Sequence, residues 1–275
     1  MTIPYITPTQ QKIPKLIYRF RFINRLQIQK FLNHKDKKTI NMWLKDLTAK
    51  EYLKRIYDPD TFGENTKLAI YFTGINGIRF FKIQEHLSPA IIRKLYTENK
   101  RKEPFIERCI LLGDICLNLL KEANGQVSYS FETASDYALD DSPFHFLTTE
   151  LGDHAPDLVY IQETTKQKGS KKKTKTYYLV SIIDATLPVY KRRSRIKKYL
   201  ELYFTNGWEN NINTPFPILR FISPTKAAMI KTKRSIKKLL EQNQDPEDFH
   251  IQLTWADQIK QHGVISDIWE DVKNE

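Results

Sequence analysis

Two apolar stretches, 157–162 and 177–183, each carry an aspartate at one end, Asp157 opening the first and Asp184 following the second, and a strongly basic segment comes next. Runs of this length, rich in Val, Ile and Tyr, favour strands. Paired side by side, they bring both carboxylates to one edge of a sheet, where oxygen ligands can share a hard divalent cation such as Mg²⁺ or Mn²⁺. Residues 191–198 hold six Lys/Arg in eight positions and supply cations for a phosphate backbone. A strand at Pro217–Ile222, a basic helix at Lys226–Gln242 and a strand at Phe249–Leu253 continue the alternation. The pattern predicts an α+β or α/β fold with a mixed sheet flanked by helices, the outline of a nuclease core.

Charge is distributed unevenly. The formal net charge is +12, and residues 1–57 hold 13 Lys/Arg against Asp36, Asp46 and Glu51, so a net +10 falls in the first fifth of the chain. Such a segment suits a polyanionic partner. Within it, Ile13, Leu16, Ile17 and Phe20 recur at helical spacing, and Asn24 with Gln27 forms a capping box for a second helix. In a third helix Ile40, Trp43, Leu44 and Leu47 turn inward, which leaves Lys38, Thr39, Asn41, Met42 and Lys45 outward. A strand at Tyr52–Tyr57, a breaker-rich turn at Asp58–Gly63 and a strand at Lys67–Phe72 follow. Three helices and then a hairpin is the order of a winged helix-turn-helix, whose third helix enters the major groove of double-stranded DNA while the hairpin reaches the flanking backbone. Thr39, Asn41 and Lys45 are the candidate base readers, and Lys38, Lys54 and Arg55 the candidate phosphate contacts.

The domains are accordingly placed at 1–88 and 89–275. Pro89–Lys102 reads as a polar linker or helix, and a longer helix runs from Pro104 to Glu122 with Phe105, Cys109, Leu112, Cys116, Leu119 and Leu120 as its apolar stripe. Glu107 on that helix is more simply a solvated side chain than an outer carboxylate of a site. Segment 134–152 has no period and reads as a surface loop, and 166–175, with six lysines in ten residues, reads as a solvated hairpin tip. On the basic helix, Ile196, Leu200 and Tyr203 mark the buried side, so Arg192, Arg193, Arg195 and Lys198 face a ligand. The two cysteines lie a heptad apart on one helix and cannot bridge, which suits a reduced, cytoplasmic protein. No apolar run suggests a membrane span. The six histidines form no ligand pair, and no Gly-rich phosphate loop occurs. His154 is the one histidine near the expected site, and Tyr190 carries no mark of an activated nucleophile.

Taken in order, the winged helix, the linker helix, Ala155-Pro156-Asp157, the 177–186 strand, the Lys197–Tyr203 helix and the Phe216–Thr225 strand resemble the replication-relaxation family of plasmid and integrative-element proteins, over about residues 9–255. The family is associated with replication and mobilisation, and is similar to conjugative relaxases with a degenerate restriction-nuclease fold. The resemblance implies that Asp157 matches the Pro-Asp aspartate and Asp184 the aspartate of a Glu-Ile-Asp strand ending. The glutamate of that ending falls on Ile182, and Thr186 stands where a nuclease lysine would be. Arg195 or Lys197 would have to replace that lysine. The expected function is therefore recognition of an origin of replication or transfer by a protein with an inactive nuclease-like domain. The alternative is a metal-dependent nickase or relaxase holding Mg²⁺ or Mn²⁺ on Asp157 and Asp184. A plain transcriptional repressor would leave two thirds of the chain without a role. Double-stranded DNA, other replication or mobilisation proteins and a second copy of the chain are the expected partners. On this reading, Ile182→Glu would restore the missing carboxylate without disturbing an edge strand.

Overall fold

Thr7 and Asn24 start two helices by the same device. Each short polar side chain accepts the backbone N–H three residues on, and Gln10 or Gln27 returns a bond to the cap's own N–H. The helices they open are α1 (Pro8–Phe20) and, after the short strand β1 (Ile23–Asn24), α2 (Arg25–Phe31). A computed structural model describes residues 3–57, 68–84, 87–165, 173–183, 188–243 and 246–273. The structure is mixed α+β and divides into two compact units, Met1–Leu117 and Asn118–Glu275. None of the helices of the described residues is long and apolar enough to cross a membrane.

In the first unit α3 (Lys37–Ala49) follows α2, then come strands β2 (Leu53–Ile56) and β3 (Ile70–Thr73). The three strands form an antiparallel sheet in the order β1-β3-β2, with Ile23 opposite Tyr71 and Leu53 opposite Thr73. Ile13, Ile17 and Phe20 of α1, Ile28 of α2 and Ile40, Leu44 and Leu47 of α3 are buried. Their i, i+3/i+4 spacing is the reason these segments are helices in a domain rather than isolated peptides. Gln10 Nε2 donates to Asp46 Oδ2 at 2.8 Å, joining the start of α1 to the end of α3. Helix α4 (Ile75–Gln84) leaves β3 so close to the preceding turn that a Cβ on Gly74 or Gly77 would run into the backbone oxygens of Glu51 and Tyr52.

The breaker-rich turn at 58–67 lies outside the described residues. Of the two readings of residues 89–102, linker or helix, the structure shows the helix: they include α5 (Pro89–Tyr96) and a helical turn, Glu98–Lys100, with Leu95 and Glu98 buried. Helix α6 (Glu103–Glu122) buries Cys109, Leu112, Cys116 and Leu119 as expected, but Leu120 is half exposed. Its Gly113 leaves room for the buried Gln27, whose Nε2 donates to the Ile110 carbonyl at 2.8 Å and to Asp114 Oδ1 at 2.7 Å. The division between units falls within α6, so residues 89–117 group with the first unit.

The second unit is built on an open six-stranded sheet, β4 (Val127–Thr133), β5 (Leu158–Thr165), β6 (Lys173–Ile182), β7 (Ile218–Ser223), β8 (Ile251–Trp255) and β9 (Glu270–Asp271), in that spatial order. β5 runs antiparallel to both of its neighbours, β4 and β6, while β6, β7 and β8 are parallel and β9 closes the far edge antiparallel. The parallel joins need crossovers, which α8 (Val189–Phe204) with α9 (Gly207–Ile212) and α10 (Lys226–Glu241) supply. Segment 134–152 is a correction to the sequence reading. It contains α7 (Phe146–Leu151), and Tyr137, Phe144, Leu147 and Leu151 enter the main core, with Phe144 stacked on Trp208 at 5.9 Å. A helix α11 (Ala256–His262) precedes the β9 edge.

Candidate nucleic-acid interface

Asp36 determines how α3 begins. Its carboxylate accepts the backbone N–H groups of Lys38 at 2.8 Å and Thr39 at 3.1 Å, and the Thr39 hydroxyl as well. These bonds, led by the one from the Thr39 side chain, hold the Asp36 carboxyl below its ordinary range. The Thr39 hydroxyl is therefore engaged in the cap, which takes it out of the set of ready base readers. Lys38, Asn41, Met42 and Lys45 are exposed, as the periodicity requires. Trp43, expected in the core, is only half buried, with the His34 ring edge-on at 5.1 Å. On β2, Lys54 and Arg55 are exposed, and the Arg55 guanidinium lies 5.2 Å from the Tyr57 ring. The first unit thus offers an outward helix face with two lysines, an amide and a thioether, and a strand with two more cations.

In the second unit β5 and β6 pair antiparallel, with Leu158 opposite Val180, which places Asp157 beside the end of β6. Asp157 is 7% exposed, its Oδ2 accepts the Ile182 N–H at 2.7 Å, and its own N–H donates to the Val180 carbonyl. One carboxylate oxygen is thus engaged in closing the strand pair. Asp184 and Thr186 lie outside the described residues, as do 166–172 of the lysine-rich tip. No group of three His, Cys, Asp or Glu that could hold a metal occurs among the described residues.

Ile182 is not on an edge. It is 4% exposed, on a strand flanked by β5 and β7. A glutamate there would bury a carboxylate, so Ile182→Glu is expected to cost about 3 kcal/mol or more. Urea unfolding of wild type and variant measures this, and an unchanged midpoint would show that the carboxylate reaches water.

The basic helix α8 is arranged differently from its wheel. Arg195, read as outward, is 6% exposed, and its Nε and Nη1 have no partner among the described residues. Lys197 is exposed and does not line the cleft that Arg195 lines. His154 Nε2 lies 3.1 Å from Ser194 Oγ, and burial, then the Arg195 charge, holds the imidazole below its ordinary range. The cleft, about 370 Å³, opens between α8 and α10. Its cations are Arg192, Arg193 and Arg195 from α8 and Lys231, Arg234 and Lys238 from α10, with no carboxylate among the described lining residues. Arg192 reaches Thr232 Oγ1 at 3.4 Å, and Arg193 reaches Ser235 Oγ at 3.2 Å.

No family model matches this chain, and no curated protein does. The contribution of α10 is the part that sequence reasoning missed. Residues 231, 234 and 238 share one face of a helix, and that spacing was available, but only the crossover packing shows that they face the α8 arginines.

Proposed function

We propose that the protein binds double-stranded DNA at an origin of replication or transfer of a mobile element, and that its second unit is a restriction-nuclease-like domain that no longer cuts. The observation that carries the reading is the first unit's topology: three helices and an antiparallel β1-β3-β2 sheet, with Lys38, Asn41, Met42 and Lys45 exposed on α3. That order and that exposed face are what a winged helix-turn-helix needs to place its third helix in the major groove. The net +10 of residues 1–57 supports a phosphate-contacting role. The origin as target is the part of the proposal that rests on the sequence motifs read as resembling the replication-relaxation family.

The nuclease-like reading of the second unit is supported by three strands paired antiparallel, a crossover helix and a parallel strand, with Asp157 just before the second strand. What supports loss of cutting is Ile182, an apolar side chain at the position where the resemblance expects a carboxylate, together with the Asp157 oxygen that accepts the Ile182 N–H. The rival reading, a nickase or relaxase using Mg²⁺ or Mn²⁺, predicts open circles from supercoiled origin plasmid that disappear in Asp157→Asn.

The test of DNA recognition uses the full chain and a set of origin fragments. Binding should weaken steeply with salt through counterion release. Asn41→Ala or Lys45→Ala should reduce discrimination between origin and unrelated duplex by about 1 to 3 kcal/mol if the side chain reads a base. Uniform weakening on all sequences assigns that residue to phosphate, and salt-insensitive binding would refute the proposal.

A further inference from the structure

The cleft between α8 and α10 combines three properties that an ordinary helix–helix groove lacks. Its rim is cationic on both sides, its floor is apolar, and one of its cations is buried without a partner for two of its donors among the described residues. Ile183, Ile196, Phe221, Ile236 and Leu239 form the floor. Lys231, Arg234 and Lys238 are exposed at the rim, whereas Arg195 is 6% exposed. Nε and Nη1 of Arg195, and Nε of Arg192, are buried and find no acceptor among the described residues. A guanidinium withdrawn from water is costly unless an anion meets it. Six cations line the cleft with no carboxylate among the described lining residues, and a ligand with more than one negative charge lowers their mutual repulsion.

An anion alone does not explain the floor. A hydrophobic floor beneath a cationic rim fits a ligand that lays a flat ring face on the floor and carries a dianionic head, and about 370 Å³ is within the range of small-ligand pockets. We infer that this cleft binds a nucleotide through its terminal phosphate monoester, with the base on the apolar floor and the phosphate on Arg195 and the rim cations. Guanidinium donors suit phosphate oxygens. A stacked duplex cannot supply this ligand, because its bases are held inside the helix and its internal phosphates are diesters. The sources are a free nucleotide and the unpaired 5′-phosphorylated end of a DNA strand. The inference is independent of DNA reading by α3.

The full chain is titrated with dTMP, with inorganic phosphate, with a phosphoserine peptide, and with a short single-stranded oligothymidylate carrying either a 5′-phosphate or a 5′-hydroxyl. The 5′-phosphorylated strand should bind about tenfold more tightly than the hydroxyl strand, a difference of one decade in affinity. Competition by dTMP identifies the free nucleotide as sufficient; a strand that binds where dTMP does not identifies the DNA end. The advantage of the phosphate should vanish in Arg195→Gln. Because Arg195 is buried, Arg234→Gln with Lys238→Gln, both at the exposed rim, is the second variant and should reduce the advantage severalfold. Equal binding of the two strands, an advantage that survives both variants, or equal competition by inorganic phosphate or by the phosphopeptide would overturn the inference. Binding of a 5′-hydroxyl duplex, the property expected of α3, is read in the same titrations and stands or fails separately.

Discussion

Arg220→Ala is expected to lower the stability of the second unit by roughly 3 to 5 kcal/mol, the scale of removing a large buried side chain and leaving its polar partners unmet. Arg220 lies in β7, in the interior of the sheet, and is 9% exposed. Its guanidinium is 4.3 Å from the ring centres of both Tyr178 and Trp269, so the cation is held between two aromatic faces instead of beside a carboxylate. Nε donates to Gln252 Oε1 at 2.9 Å, and Nη1 donates to the Tyr160 hydroxyl and, at 3.4 Å, to the Val264 carbonyl. That carbonyl also accepts Trp269 Nε1, and the Val264 N–H donates to Asn118 Oδ1 at 2.8 Å. One arginine therefore ties the segment before β9 to the sheet. Arg220→Lys keeps the charge but loses the plane and the fork, and should cost about 1 to 3 kcal/mol. Urea unfolding of the three proteins tests this, and a lysine variant as stable as wild type would contradict a role for the stacked guanidinium. Burial also pushes the Tyr160 hydroxyl well above its ordinary value of 10.0. The folded state keeps that proton while the unfolded chain releases it, so this contribution is complete below about pH 10 and is lost as pH rises further.

Arg220 also shows where a sequence stops being legible. Alternation along 218–223 marks a strand, but does not distinguish an arginine facing water from one between two rings, because Tyr178 and Trp269 are far away in the chain. Helix α3 was legible because Ile40, Leu44 and Leu47 repeat with the helical period and Asp36 stands at its cap. The β5–β6 pair was legible from two apolar runs, and pairing alone carries Asp157 to the end of β6. Segment 134–152 was not, since Tyr137 and Phe144 are buried from turns that follow no period. Arg195 was misread for a related reason. A helix wheel places it with the other cations, whereas in the folded unit it is buried and lines the cleft between α8 and α10. Basic residues on two helices separated by a strand become one cleft only through the sheet's topology.

Glu98→Ala is expected to destabilise the first unit by about 3 kcal/mol, at the lower end of the cost of removing one partner from a buried ion pair. Glu98 is 2% exposed, in a stretch whose composition suggests a polar linker or helix. Its Oε1 accepts Arg21 Nε at 2.8 Å and Arg21 Nη2 as well, and its Oε2 is 3.9 Å from Arg101 Nε. The guanidiniums of Arg21 and Arg101 lie 4.5 and 4.7 Å from the Phe105 ring, so a carboxylate, two cations and a ring share one site. Arg21 itself caps the end of α1 with φ of +68°, a conformation uncommon for a side chain of this kind and held here by these contacts. Its side chain is 26% exposed, so water partly rehydrates it when Glu98 is removed, which is why the larger penalties of fully buried pairs are not expected. Glu98→Gln retains an acceptor for Arg21 and should lose less. Arg21→Ala combined with Glu98→Ala should be less destabilised than the sum of the two single variants, with a coupling on the order of 1 kcal/mol or more. Additive losses would mean that the pair contributes nothing as a pair. The same contacts bear on where the first unit can be cut. A fragment ending at Ser88 loses Glu98 for Arg21 and also Ile110 and Asp114 for the buried Gln27 that starts α2. It should unfold at lower urea than one ending at Leu117, and any duplex binding it retains should weaken in proportion to the fraction unfolded.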